Sequence, residues 1–329
     1  MHIQRILFYS LAVFSASIFM TSCTQDNESQ EAMEQELRFF NIYMASNYPD
    51  AVPQPSGLYF LENTPGTGAM PEAEDWVLVN HVAYTIPDNA VYETYIESVA
   101  RDIRQYDQSA MYGPYKMFNG TNVPGLNEGL SMMREGGKAT MLFTSELGYG
   151  STNSGRVGAY RSLKYEVELL EVIGGMDEID AYEQSRIDTY LDTVAQYDTV
   201  YDVSTEKAIS YIVDVTTDGP LVGLDSTISV SYKGYLMDGR VFDERTAEDP
   251  FIFTPNTVEW VARWDLVLTR LHEGEKVRMI FPYQLGYGEV GEYTNSGNVK
   301  IPPFETLIFD LEVLSVEAEL EDEEPGPDI

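Results

Sequence analysis

The sequence predicts an α+β protein that contains two copies of one domain, and three observations lead to this prediction. The chain has 329 residues, which is too long for one ordinary core and suits two units of about 100 to 150 residues each. The residues LGYG occur twice, ending at Gly150 and at Gly288. Around both copies, alternating apolar and polar residues typical of strands flank one short helical pattern.

The repeat extends well beyond LGYG. At the offset of 138 that relates the two LGYG stretches, Gly136 aligns with Gly274 and Leu126 aligns with Trp264. The offset is 144 downstream and 150 upstream, so the second copy has six extra residues after LGYG and the first copy has twelve extra residues within 94–110. Because these insertions fall between matched blocks, we expect them to be loops on a shared scaffold.

The second copy shows the local patterns most clearly. Residues 307–314 and 228–232 alternate in the period of two that is typical of a strand with one buried face. An Asp-Gly pair at 238–239 predicts a hairpin turn after the second of these stretches. Residues 264–271 carry apolar side chains at i, i+3, i+4 and i+7 before Gly274, which predicts one short amphipathic helix that ends at the glycine.

The charge balance excludes one class of partner. The chain has 54 Asp plus Glu against 20 Lys plus Arg, and its net charge of -34 would repel a nucleic-acid backbone. Residues 319–329 are the most acidic part and are expected to be a disordered tail. The three histidines are isolated and no zinc or EF-hand spacing occurs, so we expect neither a metal nor a cofactor.

The first residues resemble the targeting segment of a bacterial lipoprotein. Residues 1–22 combine one basic residue with an apolar run too short to span a bilayer comfortably, which predicts a signal peptide. Cys23, the only cysteine, ends a lipobox-like stretch and is the expected lipidation site. The acidic residues after it are similar to those of Bacteroidetes-like surface lipoproteins. Residues 23–55 are predicted to be a lipidated tether and N-terminal helix, so we expect a cell-envelope protein anchored in the outer membrane, periplasmic or surface-exposed.

The order of blocks in the second copy resembles that of the FKBP-type peptidyl-prolyl cis-trans isomerases. The shared blocks are Tyr232, Asp238-Gly239, Phe242-Asp243, Pro250 to Phe253, Trp264, Gly274, Gly286 to Gly288, Ile301 to Pro303, and Leu307, Phe309 and Glu312. The resemblance extends to the first copy and implies that each domain is an antiparallel half-barrel sheet wrapped around a short central helix. It also implies an enzyme that isomerises X-Pro bonds of unfolded or extended polypeptides.

The resemblance implies a proline pocket with the Trp264 ring as its floor. Asp243 would accept a hydrogen bond at the polar edge of the pocket. The backbone N–H of Val261 and the hydroxyl of Tyr287 would contact ligand carbonyls. Two groups would surround the proline ring: the walls Tyr232, Phe242, Phe251, Val261, Ile301 and Phe309, and the rim residues Glu259 and Trp260. Each aromatic residue taken alone could equally be an ordinary core residue.

The two copies depart from the family pattern in different ways. In the second copy, Arg263 replaces a usual glycine and the loop 289–300, which carries the polar Lys300, is long, so access to the pocket is uncertain. In the first copy most pocket positions differ: Val82, Tyr92-Glu93, Leu126, Tyr165 and the stretch RVGAYRS stand where pocket residues are usual. We therefore expect the first domain to be non-catalytic, kept for binding, spacing or dimerisation.

These observations divide the chain into a degenerate domain at 56–174, a linker helix at 175–205 and a domain with a nearly complete pocket at 206–318. The function expected is prolyl isomerisation by the second domain. The alternative, from a different class, is a non-catalytic chaperone or protein-interaction lipoprotein that uses the same apolar groove.

Overall fold

The computed structural model describes residues 27–255 and 263–317. It divides the chain into two compact units: unit 1 takes residues up to 105 and residues 113–174, whereas unit 2 takes residues 106–112 and the chain from 175 onward. The expected α+β fold, with an antiparallel sheet in each copy, is confirmed. The predicted signal peptide, Cys23 and the acidic tail lie outside the described residues.

Unit 1 is a six-stranded antiparallel sheet with three helices. Its helices are α1 (27–47), α2 (Glu97–Asp102) and α3 (Pro124–Leu130). Its strands are β1 (Tyr59–Thr64), β2 (Trp76–Ile86), β3 (Ala90–Thr94), β4 (Tyr115–Phe118), β5 (Lys138–Phe143) and β6 (Ser162–Gly174). The strand order is β1-β5-β6-β2-β3, and β4 pairs with β2.

Unit 2 repeats this arrangement with additions. Its helices are α4 (Met176–Leu191) and α5 (Trp264–Leu268). Its strands are β7 (Asp198–Asp202), β8 (Lys207–Val215), β9 (Thr227–Leu236), β10 (Val241–Arg245), β11 (Phe251–Phe253), β12 (Lys276–Phe281), β13 (Glu292–Tyr293), β14 (Val299–Ile301) and β15 (Leu307–Glu317). The main sheet runs β10-β9-β15-β12-β8-β7 with β11 paired to β9, and β13 and β14 form a separate hairpin.

The central helix of each unit lies against the inner face of its sheet. In unit 2, Trp264, Val267 and Leu268 of α5 are buried in one cluster with alternate residues of β9, β12 and β15. In unit 1, α3 contributes Leu126 and Leu130 to the corresponding cluster. The apolar alternation of these strands thus points toward the helix, as the sequence predicts.

A glycine follows each central helix because the backbone there turns into the left-handed region. Gly136 has φ +81° and Gly274 has φ +84°. Each also donates its N–H to a strand carbonyl, that of Leu169 in unit 1 and that of Val313 in unit 2. Since residues with a Cβ adopt this φ at a cost, the two glycines fix the same turn in both copies.

The outer face of each sheet is covered by the helix that precedes it. In unit 1, Phe40 and Met44 of α1 pack on Leu142. In unit 2, Ile187 and Leu191 of α4 pack on Ile280 and Ile308. The residues 175–205, predicted as a linker helix, contain α4 and the strand β7, and both belong to unit 2.

A buried glutamate fixes each of these helices at equivalent positions. Glu36 accepts hydrogen bonds from Ser145 N (2.6 Å), Ser145 Oγ (2.6 Å) and Ser162 Oγ (2.7 Å). Glu183 accepts hydrogen bonds from the backbone N (3.2 Å) and Oγ1 (2.8 Å) of Thr306. Ser162 and Thr306 align at the offset of 144. The duplication therefore includes the helices, which the domain limits drawn from the sequence leave out.

Replacing Glu36 by alanine should destabilise unit 1. The change leaves three buried donors without an acceptor, so we expect the free energy of unfolding to fall by about 2–3 kcal/mol. Urea denaturation followed by circular dichroism measures this loss. Glu31→Ala, at an exposed position of the same helix, is the matched control and should change stability by less than about 0.5 kcal/mol. Equal effects of the two substitutions would contradict the anchoring role of Glu36.

Candidate functional site

Three aromatic rings meet in unit 2 at the N-terminus of α5. The Trp264 ring lies 5.2 Å from the ring centre of Tyr232 and 4.9 Å from that of Phe309, both in edge-to-face contact. Tyr232 and Phe309 are 6.2 Å apart. All three residues are at least nine-tenths buried. The fold places them together because α5 begins at Trp264, whereas β9 and β15 are paired neighbours.

Further apolar residues surround these rings. Phe242 on β10 makes an edge-to-face contact with Phe309 at 5.5 Å, and Phe251 on β11 makes one with Tyr232 at 6.4 Å. Both are partly buried, as expected for walls that remain open on one side. Ile301 at the end of β14 is fully buried in the same cluster. The predicted floor and walls at Tyr232, Phe242, Phe251, Ile301 and Phe309 thus belong to one apolar cluster.

One carboxylate lies at the edge of this cluster. The Tyr232 hydroxyl donates to Asp243 Oδ2 at 2.6 Å, and the backbone N–H of Glu244 donates to Asp243 Oδ1 at 2.9 Å. Burial, together with the hydrogen bond to the Asp243 carboxylate, raises the pKa of Tyr232 well above its ordinary value. The Tyr232 hydroxyl therefore stays protonated and holds the carboxylate in one orientation.

Tyr287, the tyrosine of the second LGYG, is half-buried against the same cluster. Burial, followed by the negative charge of Glu292 and a hydrogen bond to it, raises the pKa of Tyr287, so its hydroxyl stays protonated. Glu292 in turn accepts a hydrogen bond from Lys300 at 3.2 Å, between the paired strands β13 and β14. The polar Lys300, which the sequence marks as a departure, is therefore held by an ion pair in the hairpin.

Arg263 is the other departure from the family pattern. Its backbone conformation explains why glycine is usual at this position. Its φ is +81° and its ψ is -7°, in the left-handed region, immediately before α5 begins. Its side chain forms an ion pair with Asp202 and donates to Ser204 Oγ at 3.1 Å. Since Asp202 ends β7, the guanidinium is held by the β7–β8 turn.

A segment that sequence reasoning did not connect with the site lies beside it. Residues 106–112 belong to unit 2, although the insertion that carries them occurs in the first copy of the repeat. Residues 108–111 of this segment line a cleft of about 410 Å³ together with Phe242, Asp243 and Lys300. The extra residues of the first copy are the sequence feature that reveals this segment, but they do not indicate where it packs.

The corresponding position of unit 1 is filled by tyrosines. Tyr92 and Tyr165 are buried, and the Tyr92 hydroxyl donates to that of Tyr165 at 2.5 Å. Burial raises the pKa of both hydroxyls well above the ordinary value. Val157, from the RVGAYRS stretch, is fully buried and aligns with Ile301 at the offset of 144. The first copy therefore has two hydrogen-bonded tyrosines where unit 2 has phenylalanines at the aligned positions.

Val82, which replaces the strand tyrosine, brings no hydroxyl to the acidic residue of unit 1. Glu93, the counterpart of Asp243, instead pairs with His81 Nε2 at 3.1 Å. His81 itself is buried, and its ring makes an edge-to-face contact with Tyr95 at 5.0 Å. Glu93 is thus bound by His81, the residue before Val82 on β2, whereas the carboxylate of unit 2 is bound by the strand tyrosine itself.

Three of the predicted site residues cannot be compared with the structure. The backbone N–H predicted at Val261 and the rim residues Glu259 and Trp260 lie outside the described residues. Within 27–255 and 263–317, no group of three or more His, Cys, Asp or Glu side chains could hold a metal ion. In the same ranges no helix is long and apolar enough to cross a membrane.

The fold and site together define a class of protein in which an antiparallel sheet packs around one short helix and aromatic rings cluster where that helix begins. The family model "FKBP-type peptidyl-prolyl cis-trans isomerase" matches the chain twice, at residues 72–170 and 221–314. The matched residues make up more than half of the chain, one region in each unit. The chain therefore belongs to the FKBP-type peptidyl-prolyl cis-trans isomerase family, as the resemblance predicts.

Three curated relatives illustrate the match. The Macrophage infectivity potentiator of Trypanosoma cruzi is 38% identical over 94 residues, which cover 28% of this chain and 44% of that protein. Human Peptidyl-prolyl cis-trans isomerase FKBP2 is 37% identical over 95 residues, covering 29% and 63%. The FKBP-type 22 kDa peptidyl-prolyl cis-trans isomerase of Escherichia coli is 34% identical over 114 residues, covering 34% and 52%. The chain thus spans about half of the length of these relatives.

Two substitutions at Arg263 should separate backbone strain from the ion pair. Both Arg263→Gly and Arg263→Ala remove the contact with Asp202, but only glycine adopts a φ of +81° without strain. We expect Arg263→Gly to be more stable than Arg263→Ala by about 1 kcal/mol. Urea unfolding of the two variants measures this difference. Equal midpoints would show that the left-handed conformation carries no measurable cost.

Proposed function

We propose that unit 2 catalyses the cis-trans isomerisation of X-Pro bonds in unfolded or extended polypeptides. The observation that supports this most directly is the Tyr232, Trp264 and Phe309 cluster, with Asp243 held at its edge. The family match covers this region, and the relatives FKBP2 and the 22 kDa protein are named as peptidyl-prolyl isomerases.

The proposed mechanism relies on the apolar character of the pocket. Rotation about an X-Pro bond has a barrier of roughly 18–20 kcal/mol because the planar amide is stabilised by resonance. At the top of the barrier the twisted amide has lost resonance and is less dipolar than the planar form. A pocket of aromatic rings that excludes water therefore binds the twisted amide in preference to the planar one. Each tenfold gain in rate needs only about 1.4 kcal/mol of this preference.

Each side chain has a proposed role in this reaction. The proline ring lies on Trp264, between Phe242, Phe251 and Phe309. The Tyr287 hydroxyl donates to a carbonyl of the substrate, and Asp243, oriented by Tyr232, forms the polar edge. Val261 N–H, with Glu259 and Trp260 on the rim, completes the set that the family resemblance implies.

We further propose that unit 1 is non-catalytic. Its pocket position holds Tyr92, Tyr165 and the buried Val157. The Tyr92 and Tyr165 hydroxyls bring polarity to two positions that are phenylalanine in unit 2, where an apolar wall favours the twisted amide. Binding, spacing or dimerisation through this unit are the roles in keeping with a retained fold and altered pocket residues.

The cellular setting proposed here rests on the N-terminal sequence. Cleavage before Cys23 and acylation of its sulfur would attach the protein to the outer membrane, on its periplasmic or outer face. Polypeptides of the envelope, or secreted ones, would then be the substrates. The lipid attachment is tested by measuring the incorporation of a radiolabelled fatty acid into the protein, with Cys23→Ser as the control.

The activity is tested by a protease-coupled assay of a Leu-Pro tetrapeptide with the mature chain. Trp264→Ala and Asp243→Leu should each lower kcat/KM by about tenfold or more. Tyr287→Phe removes only one hydrogen bond worth about 1 kcal/mol and should lower kcat/KM about fivefold. Tyr149→Phe, the matched change in the first LGYG, should leave the rate unaltered. A wild-type rate no higher than background would refute the proposal.

The pH profile of the same reaction follows from the two tyrosines. Burial raises the pKa of Tyr232 and of Tyr287 above the ordinary value of 10.0, because the phenolate is disfavoured away from water. Both hydroxyls therefore remain donors through neutral and mildly alkaline solution. We expect kcat/KM to be constant between about pH 6 and 9. A fall with a midpoint inside this range would contradict the roles given to these hydroxyls.

The second candidate function is a non-catalytic chaperone or interaction module that uses the same groove. The observation that favours it is the cleft that residues 108–111 line together with Phe242 and Asp243, beside the aromatic site. Suppression of the aggregation of a denatured client by Trp264→Ala, in the absence of isomerase activity, would support this candidate. Loss of both properties in that variant would favour the isomerase.

A further inference from the structure

The segment 106–112 is an unusual part of unit 2, because the residues on both sides of it belong to unit 1. In sequence it lies within or directly after the stretch 94–110 that lengthens the first copy of the repeat. The second copy has no counterpart. The segment is therefore a feature of this chain that the duplicated fold does not require.

The segment binds unit 2 through its backbone. The N–H of Met111 donates to the carbonyl of Val299, on β14, at 2.7 Å. Arg240 Nη1 donates to the carbonyl of Tyr112 at 3.1 Å. These bonds involve groups that every polypeptide has, so another extended chain could make them in the same place.

A carboxylate adds a more specific contact. Asp107 accepts hydrogen bonds from Ser296 Oγ at 2.6 Å, from Asn298 Nδ2 at 3.1 Å and from Thr294 Oγ1 at 3.3 Å. The hydrogen bond from Ser296 is the main cause of a lowered pKa at Asp107. All three donors belong to the loop 289–300, where the second copy has its own extra residues. The two insertions that distinguish the copies thus bind each other.

The side chain of Met111 extends this contact to the aromatic site. It is 8% exposed and belongs to the same apolar cluster as Trp264 and Phe309. The cleft that it lines also contains Phe242 and Asp243. Between Asp107 and Met111, Gln108 and Ser109 are exposed. The segment therefore touches the site through one buried side chain and leaves the middle of its length in solvent.

We propose that residues 106–112 are an intramolecular ligand that lies along one side of the peptide groove beside Phe242 and Asp243 and competes with polypeptide substrates for that groove. This inference rests on the proposed function of the same site. Because the segment is tethered, its effective concentration is high, and a few weak contacts are enough to compete with free peptide. The contacts also define a preferred ligand: an extended segment with an acidic residue four positions before an apolar one.

The test compares the mature chain with an Asp107→Ala/Met111→Ala double variant. Calorimetry measures the binding of a succinylated Ala-Leu-Pro-Phe peptide, and the coupled assay measures kcat/KM for the same peptide. We expect the double variant to bind about tenfold more tightly, equivalent to about 1.4 kcal/mol, and to show a similar rise in kcat/KM. Asp102→Ala removes one charge from an exposed position of the same insertion and is the control, with no change expected.

A second measurement uses the segment itself as the probe. A synthetic peptide with the sequence of residues 105–113 should inhibit the double variant and have a weaker effect on the mature chain, where the segment itself competes for the groove. Hydrogen exchange at the Met111 amide should be slow in the mature chain and faster when saturating tetrapeptide is added. Exchange that stays slow in the presence of bound tetrapeptide would overturn the proposal.

The two proposals fail in different ways. Tighter peptide binding by the double variant without isomerase activity in either protein would support the intramolecular ligand and refute catalysis. Isomerase activity with an unchanged or lowered kcat/KM in the double variant would leave the catalytic function standing and overturn the competition. Near-ultraviolet circular dichroism of both variants verifies that the aromatic cluster is intact before these comparisons.

Discussion

The burial of one short helix against the inner face of an antiparallel sheet is the constraint on which the rest of each unit depends. In unit 2, α5 has only the five residues Trp264–Leu268, far too few for an isolated helix to be stable in water. Its stability must come from packing against β9, β12 and β15. The first residue of α5 is Trp264, so the contact that holds the helix also places the ring proposed to support the substrate.

The outer face of each sheet imposes a second constraint, which links the helices α1 and α4 to the duplication. Ile280 and Ile308 point away from the central helix and would be exposed without α4. Glu36 and Glu183 then fix the two helices by accepting hydrogen bonds from equivalent strand starts. The two helices therefore bury the apolar residues of the outer sheet faces, Leu142 in unit 1 and Ile280 and Ile308 in unit 2.

The two copies share one scaffold but differ in the residues of the site. The glycine turns, the strand order and the covering helices are the same in both units, because each is needed to bury the sheet. The pocket residues are not needed for that purpose, since Tyr92, Tyr165 and Val157 are buried at the aligned positions of unit 1. The pocket of unit 2 keeps Trp264, Tyr232 and Asp243, a set that a stable core alone would not require.

The sequence by itself determined the duplication, the α+β class and the strand and helix periods, because regular periods and fixed offsets are local properties of a chain. It could not give the conformation of Arg263, the pairing of Lys300 with Glu292 or the place of the two insertions. Those depend on which distant segments meet. Asp107 and Ser296 are 189 positions apart, and only the tertiary structure brings them to 2.6 Å.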